Sequence, residues 1–450
     1  VSPTSLSVPL FRFLMERPPP HLPAEVWTHI FGYLSASDKL STRACCMHFR
    51  KLIDHWSLWR GWTAVLTFKN GSYSKRFWNS LRRRKVTSVV VRSPRAKHWR
   101  QLSSELPHLS SLVLEQSVME NLGFGKDFPH LERLAIRNSD VVIDVHKRTH
   151  LEQLTHLSLC DVTFPIKSSF LPFISHLRNL TSLTCHNSGT SVEPICIMET
   201  ILSYLPKLKH LSLSSKRACV YVPKRPLNEG ISFLSTLELV QYSDHFFPVN
   251  TMKKVPHLNS LSVFSGNEHQ RMPSLSSHLV FLLSKWLQDL PKLTKLAVTR
   301  GPPVRTYVTS IPATVTSLAL CSSGLSSEDM SAVSAQLPNL LHLHIDPRPS
   351  HLGVNIAQIP ELFPKLRSLK LRHERVPEED FLHLRRLQHL EHLEILDGAR
   401  SPSHLAQYIF LEIIVLKTMQ IDCPKVGCFV PWSAGQILKN WILNYIRCRH

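Results

Sequence analysis

Glycine is scarce in this chain of 450 residues, and acidic residues are outnumbered. There are 14 glycines against 31 prolines, and 53 lysines and arginines against 33 aspartates and glutamates, a net charge of +20. The longest late apolar run, Tyr408 to Leu416, contains Glu412 and is too short to span a bilayer. No signal peptide is recognisable, since Arg12 breaks the apolar stretch from Leu10 to Met15. These absences predict a soluble cytoplasmic and/or nuclear protein with no membrane partner, whose ten irregularly placed cysteines stay reduced.

The sequence also lacks the motifs of an enzyme. It has no phosphate-cradling glycine loop, no helix with two metal-binding histidines and no cross-braced cysteine and histidine array. Cys423 and Cys428 have no second close pair, as a zinc site would require. A hydrolase built on His156 or His186 would need partners that the sequence does not mark. We therefore predict a non-catalytic protein without a cofactor or a metal.

The run from Leu22 to Trp59 predicts three short helices. Pro23 suits a first helical turn, and Ser37 with Asp38 is expected to cap the second helix. The apolar positions of the first and third helices are Val26, Ile30, Phe31 and Leu34, then Phe49, Leu52, Ile53, Trp56 and Trp59. A piece of about forty residues cannot bury so many large apolar side chains, and the excess is expected to face a partner.

This ordered set of residues resembles an F-box. The matching positions are Leu22-Pro23, Glu25-Val26, Ile30-Phe31, Tyr33-Leu34, Asp38, Leu40, Cys45-Cys46, Phe49, Leu52 and Leu58-Trp59. The resemblance implies docking on a Skp-type adaptor attached to a cullin scaffold. It implies that the adaptor contacts are Leu22, Pro23, Ile30, Phe31 and Leu34. The alternative is that this run is the packed first layer of a larger helical domain.

An L-x-x-L-x-L pattern recurs thirteen times through the rest of the chain. The units open at Val86, Leu109, Leu131, Leu154, Leu180, Leu208, Leu234, Leu258, Leu293, Val315, Leu340, Leu366 and Leu390. They lie 22 to 35 residues apart, and in seven of them a proline stands two places before the opening leucine. Such a proline ends the preceding helix and favours an extended strand. Each unit therefore predicts one strand and one return segment, stacked on its neighbours.

The predicted fold is an α/β repeat solenoid, a leucine-rich-repeat horseshoe of about 13 irregular repeats preceded by a small three-helix F-box. The predicted divisions are a disordered lead-in at 1–20, the F-box at 21–60, a basic helical linker at 61–85, the solenoid at 86–396 and a tail at 397–450. An amphipathic helix from Ile437 to Ile446 either caps the solenoid or belongs to an unrelated tail. The whole resembles the F-box leucine-rich-repeat proteins, which act as substrate receptors.

On such a solenoid the residues between the leucines line the concave face. The candidate substrate-binding residues on it are Arg133, Arg137, His156, His186, His210, Lys295, His342, His344, Lys370 and Arg372. This basic, histidine-rich face leads to the hypothesis that it holds an acidic or phosphorylated segment of an unidentified protein substrate. The alternative is a solvated face without a ligand.

The strongest charge run, Lys69 to Arg100, has eleven lysines and arginines and no acid. This run could bind nucleic acid or act as a nuclear import signal. The alternative is that Phe77, Trp78 and Leu81 are buried against the first repeat and the basic side chains form a solvated face. The long spacing before Leu293 predicts an inserted loop from Phe264 to Pro273. This loop either has a functional role or reflects ordinary variation in repeat length.

The favoured function is the substrate-recognition subunit of a cullin-type (SCF) ubiquitin ligase, with ubiquitin transfer left to other subunits. The alternatives are a basic scaffold that binds nucleic acid or chromatin, and a repeat protein that works independently of any ligase.

Overall fold

The computed structural model describes residues 22–68, 73–119, 123–141, 150–164, 170–186, 197–214, 233–242, 249–265, 283–321, 325–346, 356–372, 383–396, 418–423 and 428–433. The chain divides into two compact units, Val1–Leu154 and Thr155–His450. The predicted lead-in at 1–20, the predicted loop beyond its first two residues, and the predicted helix from Ile437 to Ile446 lie outside the described residues.

The first unit begins with three α-helices and a 3-10 helix. They are α1 (Ala24–Gly32), α2 (Ala36–Cys45), α3 (Met47–Ile53) and the 3-10 helix Trp56–Trp59. Pro23 is the N-cap of α1, one residue before the first turn. The predicted cap at Ser37 is wrong, because Ser35 caps α2 two residues earlier. The Ser35 Oγ accepts from the Asp38 backbone N–H at 3.2 Å and donates to the Asp38 carboxylate at 2.7 Å.

Aromatic rings form the centre of this helical module. Trp27 and Phe31 of α1 meet Phe49 of α3, with the Trp27 to Phe49 ring centroids 4.9 Å apart and the Phe31 to Phe49 centroids 5.2 Å apart. Ile53 and Trp59 complete the buried cluster together with Leu58. Residues from all three helices thus share one small core.

Five strands follow in the first unit: β1 (Thr63–Thr67), β2 (Ser88–Arg92), β3 (Ser111–Glu115), β4 (Val118–Met119) and β5 (Arg133–Val141). Strands β1, β2, β3 and β5 pair parallel in that order, and β4 pairs with the end of β5. The connections include α4 (Lys75–Arg83), α5 (Ala96–Glu105) and the 3-10 helix Gly123–Asp127.

The segment 61–85 is more than the predicted helical linker, since it contains both β1 and α4. In β1 the buried Ala64 and Leu66 alternate with exposed residues, and the strand pairs with β2, so the repeats begin before Val86. The predicted burial of Trp78 and Leu81 is confirmed, and Phe77 is half-buried.

The second unit continues the same repeat. Its strands are β6 (His156–Thr163), β7 (Ser182–His186), β8 (His210–Ser214), β9 (Thr236–Tyr242), β10 (Ser260–Ser265), β11 (Lys295–Thr299), β12 (Ser317–Cys321), β13 (His342–Ile345), β14 (Ser368–Arg372), β15 (His392–Leu396), β16 (Thr418–Cys423) and β17 (Cys428–Ser433). From β6 to β16 each strand pairs parallel with the next, and β17 pairs antiparallel with β16.

Short helices return the chain between these strands. The α-helices are Phe170–Ser175, Ile197–Tyr204, Ser327–Gln336 and Ile359–Leu362, with 3-10 helices at Val249–Lys254, Val304–Thr306, Val308–Ser310 and Ile356–Gln358. Residues 283–288 are helical and residues 383–386 form a 3-10 turn. Among the described residues, no helix is long and apolar enough to cross a membrane.

Proline sets the geometry at which a return segment ends. Leu106, Leu337 and Phe363 each precede a proline and share nearly the same backbone angles, with φ between −124° and −132° and ψ between 64° and 66°. The residue before a proline is excluded from the helical region by the proline ring, which forces the helix to end there. All thirteen predicted opening residues lie two places before a strand, and the leucine-rich-repeat fold is confirmed.

The repeat also extends past the predicted boundary at 396. Thr418 of β16 stands opposite His392 of β15, and Ile421 stands opposite Ile395. The sequence around β16 reads Leu416-x-x-Met419-x-Ile421, so methionine and isoleucine take the places of two leucines. The tail therefore contains at least one further strand of the sheet.

Candidate functional site

One surface of α1 is apolar and exposed. Leu22, Val26 and Ile30 stand four residues apart, and their side chains are 37%, 41% and 40% exposed. Tyr33, just after the helix, is 77% exposed. We call Leu22, Val26, Ile30 and Tyr33 the α1 face. A neighbouring row of the same helix, with Trp27 and Phe31, is buried in the aromatic core. An exposed row of large apolar side chains beside a complete core is typical of a protein-binding surface.

A buried carboxylate ties α2 and α3 to the segment that leads into β2. Asp54, directly after α3, is 6% exposed and accepts two hydrogen bonds from Arg43 of α2, at 2.7 and 2.8 Å. The Arg84 guanidinium, beyond α4, donates to the same carboxylate at 3.1 and 3.3 Å and lies 4.0 Å from the centre of the Trp59 ring. Arg83 reaches Asp54 at 3.4 Å but is 66% exposed. We call these residues the Asp54 cluster.

The repeat strands present one solvent-facing side, which we call the open face. In β1, β2, β3, β11 and β12 the second and fourth residues are buried, whereas the first, third and fifth residues lie on the open face. Successive strands are in register, so these positions form three rows that run across the sheet. A partner on this side would meet three parallel lines of side chains spaced about 4.8 Å apart from strand to strand.

Residues 19–61 match the F-box-like family model. The match covers α1, α2, α3 and the 3-10 helix, and it ends two residues before β1. No curated protein matches the chain. Among solved structures, an internalin from Listeria monocytogenes str. 4b F2365 is 13% identical with a TM-score of 0.35, over 71% of this chain and 81% of that chain.

The five predicted adaptor contacts differ in their exposure to solvent. Leu22, Pro23 and Ile30 are exposed. Leu34 is half-buried against the aromatic core, and Phe31 is only 3% exposed. In this structure Phe31 supports the α1 face from beneath and offers a partner almost no surface. Adaptor contact by these five residues stays a prediction.

Sequence reasoning missed two members of the α1 face as contact candidates. The sequence places Val26 on the apolar side of the helix, but it does not distinguish this exposed residue from the buried Trp27 and Phe31. Tyr33 contributes to the family resemblance alone. The i, i+4 spacing of Val26 and Ile30 within α1 is the signal that identifies the helical part of this face, and Leu22 lies just before the helix.

The ten predicted substrate-binding residues do not converge on one site. Arg133 and Arg137 lie on β5 in the first unit, whereas the other eight are spread from β6 to β14 in the second. First positions hold Arg133, His156, His210, Lys295 and His342; third positions hold His344 and Lys370; fifth positions hold Arg137, His186 and Arg372. Substrate binding by these residues stays a prediction.

Several polar groups on the open face are satisfied by their neighbours. Lys370 donates to Glu394 at 2.6 Å across adjacent strands. His342 has a lowered pKa because of partial burial first, then the nearby charges of Lys295, His392 and Arg367. At neutral pH these two effects leave this part of the face less positive than its composition indicates.

A hydrogen-bonded chain joins β7, β8 and β9 on the open face. The Ser212 Oγ donates to the Glu238 carboxylate at 2.7 Å and lies 2.7 Å from the His186 Nε2. Because a hydroxyl has one proton, His186 is the donor to Ser212. In a hydrolytic triad the imidazole stands between the hydroxyl and the carboxylate. Here the serine stands in the middle. These hydrogen bonds therefore order the side chains on the face but do not activate Ser212 as a nucleophile.

The Asp54 cluster predicts an acid-sensitive F-box-like domain. Burial alone would raise the pKa of Asp54, but the hydrogen bonds and charges of Arg43 and Arg84 outweigh it and lower that pKa below its usual value. The folded state therefore favours the carboxylate. Its contribution to stability is complete above the unfolded pKa of about 3.9 and is lost as pH falls through the lower folded pKa.

We expect the free energy of unfolding of the full chain to fall below about pH 4, and to fall less steeply in Asp54→Asn than in the wild type. Urea denaturation followed by tryptophan fluorescence at a series of pH values measures both slopes. Identical slopes for the two proteins would contradict the assignment.

Proposed function

We propose that the chain is the substrate-recognition subunit of a cullin-type (SCF) ubiquitin ligase, a member of the F-box leucine-rich-repeat receptors. Its F-box-like domain docks on a Skp-type adaptor, and its repeats hold a target protein. The observation that carries the proposal is the α1 face, an exposed apolar row on a domain that matches the F-box-like model. A helix with such a row suits a hydrophobic groove on a partner.

The Asp54 cluster supports this division of labour. It joins α2 and α3 of the F-box-like domain to Arg84, which leads into β2. In this proposal the cluster holds the F-box-like domain against the first repeat, and so positions a target on the strands of the first unit relative to an adaptor on α1. The protein itself performs no chemistry in this proposal. It raises the effective concentration of target lysines near a conjugating enzyme supplied by other subunits.

The same contacts weigh against the nucleic-acid alternative. Of the basic run Arg82-Arg83-Arg84, Arg82 lies 3.3 Å from the Glu105 carboxylate, and the other two contact Asp54. Arg84, which is 5% exposed, offers no surface to a phosphate, so the run presents two accessible arginines instead of three.

Co-purification tests the proposal. The full chain is expected to retain the Skp adaptor and the cullin, and the double variant Val26→Glu/Ile30→Glu is expected to lose both, since charge on the α1 face cannot enter an apolar groove. Removal of residues 22–60 is a poor substitute, because it also deletes Asp54 and Trp59, which contact Arg84.

Val65→Glu is the matched control, because Val65 is also an exposed apolar residue but lies outside the F-box-like match. It is expected to keep both partners. Adaptor and cullin retained equally by the double variant would contradict the proposal, and a wild-type chain that recruits neither would point to a ligase-independent protein.

A further inference from the structure

A row of apolar side chains crosses the open face of the first unit. Val65 of β1, Val90 of β2, Val113 of β3 and Ala135 of β5 occupy the third position of their strands and stand opposite one another in register. Val65 is 51% exposed and the other three are half-buried. We call these four residues the valine row.

The valine row is not a requirement of the repeat. In the second unit the same row reads Ser158, Thr184, Ser212, Glu238 and Ser262 on β6 to β10. Thr184 shows that a β-branched polar residue fills this position in a strand. Threonine would therefore give the first three strands equal propensity without exposing hydrocarbon to water. Three consecutive valines facing solvent mark a surface that a partner covers.

Positive charge borders the valine row on both sides. In the fifth positions Arg92 donates to Glu115 at 2.8 Å, and Arg137 lies 3.7 Å from the other oxygen of the same carboxylate. Arg133 lies in the first position of β5 and is exposed. Two guanidinium groups thus share the Glu115 carboxylate, and Arg133 lies at the opposite border of the row. Arg92 and Arg137 remain about half exposed, so their remaining N–H donors are open to an acidic partner.

We propose that the open face of β1, β2, β3 and β5 binds an extended protein segment whose sheet-facing residues, every second one along the segment, include both apolar side chains and aspartate or glutamate. The inference rests on the proposed function, in which the repeats hold a target, and it specifies the chemical class of that target. The apolar side chains cover the valine row, and the acidic side chains pair with Arg92, Arg133 and Arg137.

The dimensions of the sheet set the length of the bound segment. Four neighbouring strands span about 14 Å, and an extended chain rises about 3.3 Å per residue, so roughly five residues cross the row. Arginine alone would also suit the phosphates of a nucleic acid. The valine row gives a phosphate no hydrogen-bond donor, which is why a peptide with both apolar and acidic side chains on one face fits this surface better.

A random peptide library tests the inference. The full chain is used to select displayed peptides of about twelve residues, long enough to cross four strands. The selected peptides are then synthesised and titrated against the full chain by fluorescence anisotropy. We expect enrichment of aspartate or glutamate two residues away from valine, isoleucine, leucine or phenylalanine, so that both side chains face the sheet. Selection of basic peptides, the absence of any enriched pattern, or tighter binding of a single-stranded oligonucleotide than of the peptides would overturn the inference.

Two variants locate the binding surface. Val65→Thr/Val90→Thr/Val113→Thr keeps β-branching and shape but removes three methyl groups, and it is expected to weaken peptide binding at least about tenfold. Arg133→Ala/Arg137→Ala is expected to weaken it by a similar factor. The control Ala297→Ser/Ala319→Ser changes the same row on β11 and β12, and it should bind like the wild type. Equal affinity of the valine variant and the wild type would refute the site.

Adaptor binding by every variant serves as the folding control and separates the two proposals. If the adaptor binds but peptide affinity is indifferent to the valine row, the inference fails and the proposed function stands. If peptides bind through the valine row but no adaptor is retained, the surface is real and the proposed function fails.

Discussion

Replacing Asp54 with alanine is expected to lower the free energy of unfolding of the F-box-like domain and first repeat by about 3–5 kcal/mol, because it leaves buried guanidinium charge without a counter-ion. Arg84 is 5% exposed and is held by the Asp54 carboxylate and by the Trp59 ring. Water cannot replace the carboxylate without opening the contact between α3 and the residues that follow α4. The loss should therefore appear as unfolding of the joint between the two elements.

Arg83→Ala is the matched control for this prediction. Arg83 contacts the same carboxylate at 3.4 Å, but its side chain is 66% exposed. Such an exposed ion pair contributes within about 1 kcal/mol. Urea denaturation followed by tryptophan fluorescence compares the two variants. Equal free energies of unfolding for Asp54→Ala and Arg83→Ala would show that the buried contacts of Asp54 contribute no more stability than the exposed ion pair.

The Asp54 cluster also shows where sequence reasoning ends. The basic run at Arg82, Arg83 and Arg84 is evident from composition, but the acidic partner of Arg83 and Arg84 lies 29 and 30 residues earlier, directly after α3. Only the packing of α3 against the first repeat brings the charges together. The composition alone therefore indicates a free basic patch, whereas in the structure Arg83 and Arg84 connect the F-box-like domain to the first repeat.

The repeats were predictable because their physical cause is periodic. Every opening leucine or valine precedes a strand by the same two residues, since each must enter the common core at the same point. Two of the strands that the pattern does not predict, β1 and β16, depart from it for identifiable reasons. In register with Val86, β1 has Gly61 at its opening position, and β16 has Met419 in place of a leucine. Both strands still pair in register with their neighbours, although their sequences do not match the L-x-x-L-x-L consensus.

The α1 face was partly predictable, whereas its division into contact and core was not. Both rows of α1 are apolar, so hydrophobic periodicity alone gives one broad stripe. The structure separates them through α3, whose Phe49 covers Trp27 and Phe31 and leaves Val26 and Ile30 uncovered. The sequence of one helix cannot indicate which side its neighbour occupies.

Adjacent residues on α1 provide the sharpest test of this division. Phe31→Ala is expected to cost about 3–5 kcal/mol of stability, because it removes a ring that is 3% exposed and packed against Trp27 and Phe49. A domain of about forty residues has little stability to spare, so we expect this variant to unfold locally. Ile30→Ala changes a side chain that is 40% exposed, and its stability should stay within about 1 kcal/mol of the wild type.

The two variants should lose adaptor binding for different reasons. Hydrogen exchange of the α1 amides is expected to rise in Phe31→Ala and to remain unchanged in Ile30→Ala, while both bind the Skp adaptor more weakly. Protection of α1 together with weak binding marks Ile30 as a contact, and loss of both marks Phe31 as its support. If Phe31→Ala kept full amide protection and lost only binding, Phe31 would be a direct contact. The domain would then have to rearrange on the adaptor to expose that ring.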